Sequence, residues 1–213
     1  MAATVARMLP QLSLSAAAGC GYVIGALPSA DFAARLATGD HDLRTEGTGN
    51  PGSLNTSHVL GKKWGTAVGL TDIAKGVVAA SIGRRLAGAP GANVAATAAV
   101  IGHCHPPGRS GGKGVATSVG QVIGTFPSYL PIDAAVALAT SQVPWFRSRT
   151  RAATTLASGV WIASATTAWR RTAGTTKPTA TGMLPLGAAV SSIVIAQRFK
   201  TEAQRVDNYN HTS

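Results

Sequence analysis

Long runs of Ala, Val, Ile, Leu, Gly and Thr alternate along this chain with short polar stretches that hold most of its charge. Seven apolar segments can be drawn, at about 12–27, 64–82, 92–103, 115–125, 127–143, 152–169 and 182–196. A helix needs roughly 20 apolar residues to span a hydrocarbon core, and several of these segments are shorter. The pattern therefore predicts an all-α, polytopic membrane helix bundle of about seven transmembrane segments, some of them partial, tilted or broken. Pro127 follows Phe126 directly after the fourth segment. Proline within a membrane helix can simply kink it, so a count of six spans stands beside seven. On either count residues 1–213 read as one integral membrane domain, with polar loops at about 38–63 and 102–114.

Composition supports this class. Apolar residues make up 45% and charged residues only 13% of the chain, whereas a soluble domain carries about a quarter charged residues to keep its surface wet. The mean hydropathy of +0.17 is modest for a membrane protein, because Ala, Gly, Ser and Thr fill helix positions that Leu and Phe could occupy. Small residues let membrane helices approach closely. The net charge of +11 raises the question of nucleic acid. Such binding needs a wettable basic face and aromatic or arginine platforms for bases, and neither is visible, so no nucleic-acid partner is expected.

The basic residues sort instead by loop. With seven spans and an outer N-terminus, Arg35, Arg44, Lys62, Lys63, Arg109, Lys113, Arg147, Arg149, Arg151, Arg198, Lys200 and Arg205 fall inside, while Arg7, Arg84, Arg85, Arg170, Arg171 and Lys177 fall outside. An excess of Lys and Arg on cytoplasmic loops is the rule for such proteins. Cys20 and Cys104 lie in or beside apolar runs and offer no disulfide framework. Arg7, an apolar run and Ala-Ala-Gly-Cys20 loosely match a cleaved lipoprotein signal, but the run continues through residue 27, as a retained helix would.

Two polar stretches carry candidate chemistry. The first runs from Thr38 to Lys63 and includes Gly49 and Gly52 among short hydrogen-bonding side chains such as Thr48, Asn50, Asn55 and Ser57. Glycines admit close backbone approach, so this composition suits an anion gripped by backbone N–H groups, or equally an ordinary surface loop of turn formers. The second runs from Gly102 to Gly114, with Gly111, Gly112 and Gly114 beside Arg109 and Lys113 at the start of an apolar segment. Glycines, cations and a helix N-terminus together make a phosphate cradle. It is not a Walker A loop, because Pro107 stands where the first glycine is required and Gly114 follows the lysine. His103, Cys104 and His105 do not form a metal site, since adjacent side chains point apart and no spaced partner motif exists. His103 is expected to fix its loop by hydrogen bonding. Asp72 and Lys75 share a helix face, either as a structural pair or lining the site.

These stretches resemble, in order and spacing, the bacterial membrane glycerol-3-phosphate acyltransferases that use acyl phosphate as donor. The similarity runs through Gly25-Ala-Leu-Pro28, Gly47-Thr-Gly-Asn-Pro-Gly-Ser-Leu-Asn55, Leu60-Gly-Lys-Lys-Trp-Gly65, Asp72-Ile-Ala-Lys-Gly76, Gly102-His103 and Gly111-Gly-Lys-Gly-Val-Ala-Thr117. It implies a seven-helix enzyme of the bacterial cytoplasmic membrane with its active site facing the cytoplasm. In that reaction the glycerol 3-phosphate hydroxyl attacks the acyl-phosphate carbonyl, giving lysophosphatidic acid and phosphate, without metal or cofactor. The resemblance places Thr48, Asn50, His58 and Lys113 at catalytic positions. It places Gly49, Gly52, Asn55, Lys75, His103, Arg109, Gly111, Gly112 and Gly114 against the substrates.

The sequence also departs from the family pattern. Thr48 replaces a serine and keeps its hydroxyl, whereas His58 replaces an arginine and is expected to serve only as a weak phosphate ligand. Two residues are missing after Pro107, and Ser110 replaces a lysine. In the tail, Phe199 takes a histidine position and Glu202 an asparagine position. A non-catalytic membrane homologue that binds lipid or phosphate, or regulates a partner enzyme, is the alternative reading.

Overall fold

The computed structural model describes residues 2–39, 42–147, 149–173 and 180–212. Of the expected inside and outside charges, Lys177 and the side chains of Arg7, Arg147 and Arg205 lie outside the described residues. Among the described residues the regular elements are all helices, without strands. Its first long helix, α1 (Ala2–Ala26), leads into a short α2 (Ser29–Thr38), and α3 (Ser53–Leu60) rises from the middle of the polar stretch. Neither α2 nor α3 follows from the apolar segments. The first buries Ala30, Ala33 and Ala34, and the second Asn55 and Thr56, so both are fixed by what they dock against.

The next element, α4 (Lys62–Cys104), is two helices folded back on each other at Ala87 (φ −147°, ψ 31°) and Gly88 (φ 62°, ψ −149°). Glycine is needed for the positive φ at Gly88, and Pro90 starts the returning arm with its φ already set. Ala80 on the first arm meets Ala92 and Ala96 on the second, and Gly83 abuts the Gly91 backbone. The two expected segments at 64–82 and 92–103 are thus an antiparallel hairpin.

Small residues set the packing. A side chain at Gly21 or Gly25 of α1 would strike the backbone of Ala95 or Ala99 on the second arm. Likewise Gly76 of the first arm and Gly120 of α5 (Val115–Thr125) are pressed against each other's helix backbones. With no hydrophobic drive between helices in lipid, such close approach supplies the dispersion energy, which explains the modest hydropathy. Polar ties add to it: buried Gln121 of α5 donates to Thr97 at 3.0 Å and accepts from Ser191 at 2.7 Å, joining three helices.

After α5 the chain turns sharply. A 3-10 turn (Pro127–Tyr129) leads to α6 (Leu130–Gln142), and α5 and the following segment meet at 117°. The Phe126–Pro127 boundary is therefore a break rather than a kink. Phe126, Tyr129 and Trp161 cluster there, Trp161 coming from α8 (Thr150–Thr172), which is reached through α7 (Pro144–Arg147). The last helix, α9 (Met183–Thr212), runs back along α8 and α4. Residues 10–38 and 62–104 are long and apolar enough to cross a membrane, and the bent pair 115–142 adds a third if it is one span. Arg84 donates to the carbonyl of Gly124 at the C-terminal end of α5, whereas Lys113 sits just before its N-terminal end. These two cations thus lie at opposite ends of α5.

Candidate active site

At the Lys113 end a cleft of about 400 Å³ opens between three segments: the polar loop before α3, the glycine loop before α5, and the exposed part of α9. The first segment contributes Arg44, Thr45, Thr48, Gly49 and Asn50. Its shape is held by Asn55, which is 2% exposed in the first turn of α3. The Asn55 amide donates to the carbonyls of Leu43 and Glu46 at 3.0 Å each and accepts from the Thr48 N–H at 2.7 Å. Three hydrogen bonds from one buried side chain wrap the loop around it and aim it at the cleft. Gly47, at φ 58°, leaves the room that Asn55 occupies.

Arg44 anchors the same loop. It forms a two-point ion pair with Asp31 of α2, at 2.8 and 3.2 Å, and donates from Nε to the Ser110 carbonyl at 3.0 Å. Burial alone would depress its pKa, but the hydrogen bonds and charges of Asp31 and Asp42 outweigh this and raise it, so Arg44 is a permanent cation.

The glycine loop lies on a buried base. The Gly112 N–H donates to the His103 carbonyl at 3.2 Å, and any side chain at Gly112 would run into the His103 ring. Gly114 has φ 84°, the left-handed conformation that hands the chain to α5. Behind the loop, His103 Nδ1 lies 3.5 Å from Asp72, which also accepts from Lys75 at 2.8 Å and Ser29 at 2.6 Å. Lys75 further donates to the Leu27 carbonyl at 2.7 Å. Asp72, Lys75 and His103 are 1%, 4% and 8% exposed. Asp72 and Lys75 thus form a buried cluster with Ser29 and His103 behind the loop, and Lys75 and His103 also border a small pocket with Gly111 and Gly112.

From the other side α9 closes the cleft. The Arg198 guanidinium donates to the carbonyls of Gly111 at 2.5 Å and Gly112 at 3.2 Å, and to the Ser110 hydroxyl at 3.1 Å. Lys113 Nζ lies 2.8 Å from Glu202 and 4.9 Å above the Phe199 ring. Past Phe199, an open groove of about 290 Å³ runs between α8 and α9 and includes Ile162, Ile193, Ile195 and Ala196. His105, beside the glycine loop, is pushed below its ordinary pKa by burial and by Arg198.

Of the residues expected at the site, Thr48, Gly49, Asn50 and Lys113 border the cleft. Asn55, His103, Gly111, Gly112 and Gly114 shape its walls, as does Gly52, whose N–H donates to the Asn50 carbonyl at 2.8 Å. Lys75 is committed to the buried cluster. Arg109 turns away to the Ala26 carbonyl. His58 is exposed in the last turn of α3 and is not among the residues bordering the cleft, since the helix carries it away from Thr48 and Asn50. Sequence reasoning did not single out Arg44, Arg198, Thr201 or Glu202 as site residues. Arg198 and Glu202 are four apart beyond an apolar run, the spacing of a shared helix face, which is the signal that could have paired them. Among the described residues no group of three or more His, Cys, Asp or Glu is arranged to hold a metal. The cleft combines cations, hydroxyls, an amide and the carboxylate of Glu202, a set that can bind an anion through its cations and hydrogen-bond donors.

Comparisons agree with this reading of the architecture. A family model described as glycerol-3-phosphate acyltransferase matches residues 15–208. Over 120 residues the chain is 42% identical to a glycerol-3-phosphate acyltransferase of Anaeromyxobacter sp. (strain K), covering 53% of this chain and 59% of that protein. A namesake from Sinorhizobium fredii (strain NBRC 101917 / NGR234) is 38% identical over 143 residues, 65% of this chain and 70% of the relative. The crystal structure of PlsY (YgiH), an integral membrane glycerol 3-phosphate acyltransferase, in its glycerol 3-phosphate form superposes with a TM-score of 0.72. That match has 27% identity and covers 92% of each chain. The lysophosphatidic acid form of the same protein gives 0.69 at 26% identity, again over 92% of each.

Proposed function

Because this chain belongs to the glycerol-3-phosphate acyltransferase family, we propose that it transfers an acyl group from acyl phosphate to glycerol 3-phosphate, releasing lysophosphatidic acid and phosphate. The observation that carries this is the meeting of the two glycine-bearing loops in one cleft, bordered by Lys113, Thr48 and Asn50. Lys113 and the glycine loop serve the phosphates, where charge must be stabilised as the carbonyl is attacked and phosphate leaves. Thr48 and Asn50 orient the glycerol hydroxyls, so that attack becomes effectively unimolecular. The acyl chain lies along the groove past Phe199, which leads from the polar cleft toward lipid. The chain acts as a single membrane domain in the bacterial cytoplasmic membrane, with the cleft on the cytoplasmic side, where the basic loops concentrate.

The ion pair between Lys113 and Glu202 favours a second reading, since it occupies the cation a phosphate would need. In that case the chain is a non-catalytic homologue that binds lipid or regulates a partner. Purified protein in detergent, given glycerol 3-phosphate with either acyl phosphate or acyl-CoA, separates the two. The catalytic reading expects lysophosphatidic acid with acyl phosphate and little with acyl-CoA. No product from a folded preparation would leave the non-catalytic reading.

A further inference from the structure

We propose that Glu202 is a built-in competitor for the substrate phosphate: its carboxylate holds Lys113 until a phosphate displaces it, and so sets the affinity of the cleft for glycerol 3-phosphate. The proposal rests on the reading above that Lys113 serves a phosphate. Glu202 of α9 meets Lys113 of the glycine loop at 2.8 Å, and both border the cleft. The two side chains are 21% and 28% exposed, so the pair can be reached from the cleft rather than being sealed in the bundle. Phe199, three residues before Glu202, lies 4.9 Å from the same ammonium. One face of α9 thus supplies both the ring and the carboxylate that hold the lysine.

The other cations bordering the cleft are tied to the protein itself. Arg44 is paired with Asp31 and Asp42, and Arg198 donates to Ser110, Gly111 and Gly112. Neither can turn to a ligand without freeing a loop. The Lys113–Glu202 pair can open by rotation of two long side chains, so Lys113 is the cation that a ligand can win. An ammonium is a compact point charge, and a phosphate and a carboxylate cannot both sit close to it without repelling each other. Binding therefore breaks one charge-assisted contact as it makes another, and the apparent affinity is reduced by the fraction of molecules in which Lys113 is free. As product phosphate leaves, the carboxylate reclaims the lysine. The pattern this chain resembles has an uncharged asparagine at this position, so the competitor belongs to this chain's own sequence.

The test compares full-length Glu202→Gln and Glu202→Asn with wild type in detergent, titrating glycerol 3-phosphate by calorimetry and reading turnover separately as lysophosphatidic acid. Both amides remove the competing charge, so Kd for glycerol 3-phosphate should fall by at least about threefold in each, with KM falling in parallel. In a Lys113→Ala background the glutamine change should bring less than about twofold. A gain kept in full there means general repulsion rather than possession of Lys113, and the proposal fails. Unchanged Kd in both variants overturns it as well. A raised Kd with a lowered thermal midpoint would make the ion pair a brace of the fold and also overturn it. Tighter binding in the variants without turnover in any protein keeps the competitor and overturns the acyl-transfer reading. Turnover with unchanged binding does the reverse, and binding by none of the proteins overturns both.

Discussion

Replacing Arg198 by alanine would remove the clasp between α9 and the glycine loop. The guanidinium makes three hydrogen bonds there, to the Gly111 and Gly112 carbonyls and the Ser110 hydroxyl. Gly111 and Gly112 are both buried, so water cannot readily replace the lost donor. An unsatisfied buried acceptor costs about 1–3 kcal/mol, which puts the two carbonyls together at roughly 2–6 kcal/mol. The remaining ties are weaker in number: the Gly112 N–H to His103, and Arg44 to the Ser110 carbonyl. The loop can therefore relieve the penalty by opening, without unfolding the helices. Even the lower part of the range, about 2.7 kcal/mol, corresponds to about 100-fold in kcat/KM if the open loop is inactive. Lysine at this position supplies a charge but not the fork that spans the carbonyls and the hydroxyl, and should recover less than about a tenth of the activity. Lysophosphatidic acid formation gives the kinetic effect. Hydrogen exchange over residues 106–114 gives the physical one, with protection lost in Arg198→Ala while the helices stay protected. Wild-type kcat/KM together with unchanged protection would refute the clasp.

Other consequences concern His58, packing and orientation. His58→Arg, which the sequence pattern alone would expect to tighten glycerol 3-phosphate binding, should change its KM by less than about threefold, because the side chain lies off the cleft; the charge-assisted gain of about tenfold or more would return His58 to the site. Gly21→Val should lower thermal stability in detergent by about 1–3 kcal/mol through overpacking against Ala95. Gly19→Ala, with nothing near its added carbon, is the control, and equal midpoints for the two would count against the close α1–α4 approach. Single cysteines at Thr48 and Lys113, in a background without Cys20 and Cys104, should resist an impermeant thiol reagent in intact cells and react in inverted vesicles. Labelling of both in intact cells would reverse the orientation.

The helices most legible in the sequence are those fixed by local pattern. The segment at 115–125 coincides with α5, because Gly114 and Phe126 bound it on either side. The turn at Ala87–Gly88 falls in the gap between the apolar runs 64–82 and 92–103. What the pattern hid were α2 and α3, ten and eight residues long, whose burial is created by neighbours distant in sequence. The same limit applies to the site. Lys113 and its glycines announce a phosphate cradle by composition. Arg198 and Glu202, by contrast, reach that cradle only because α9 returns along the bundle after more than 80 intervening residues. Asn55 illustrates a subtler gap: its type and position were noted, but its work, three hydrogen bonds that fold the loop, depends on carbonyls that no linear pattern displays.

The central claim is that the glycine loop and Lys113 form the phosphate site of an acyl-transfer reaction, and Lys113 is where it can be measured most directly. Its bland role would be to neutralise Glu202 and cover Phe199. Loss of a surface ion pair of that kind is worth about 0–1 kcal/mol. A cation that stabilises charge developing on the phosphate is worth much more. The measurement is kcat/KM for lysophosphatidic acid formation from acyl phosphate and glycerol 3-phosphate, wild type against Lys113→Ala, at matched folding in detergent. The account predicts turnover by wild type and a loss of at least about 100-fold, or roughly 2.7 kcal/mol, in the variant. Equal kcat/KM in the two proteins would contradict it.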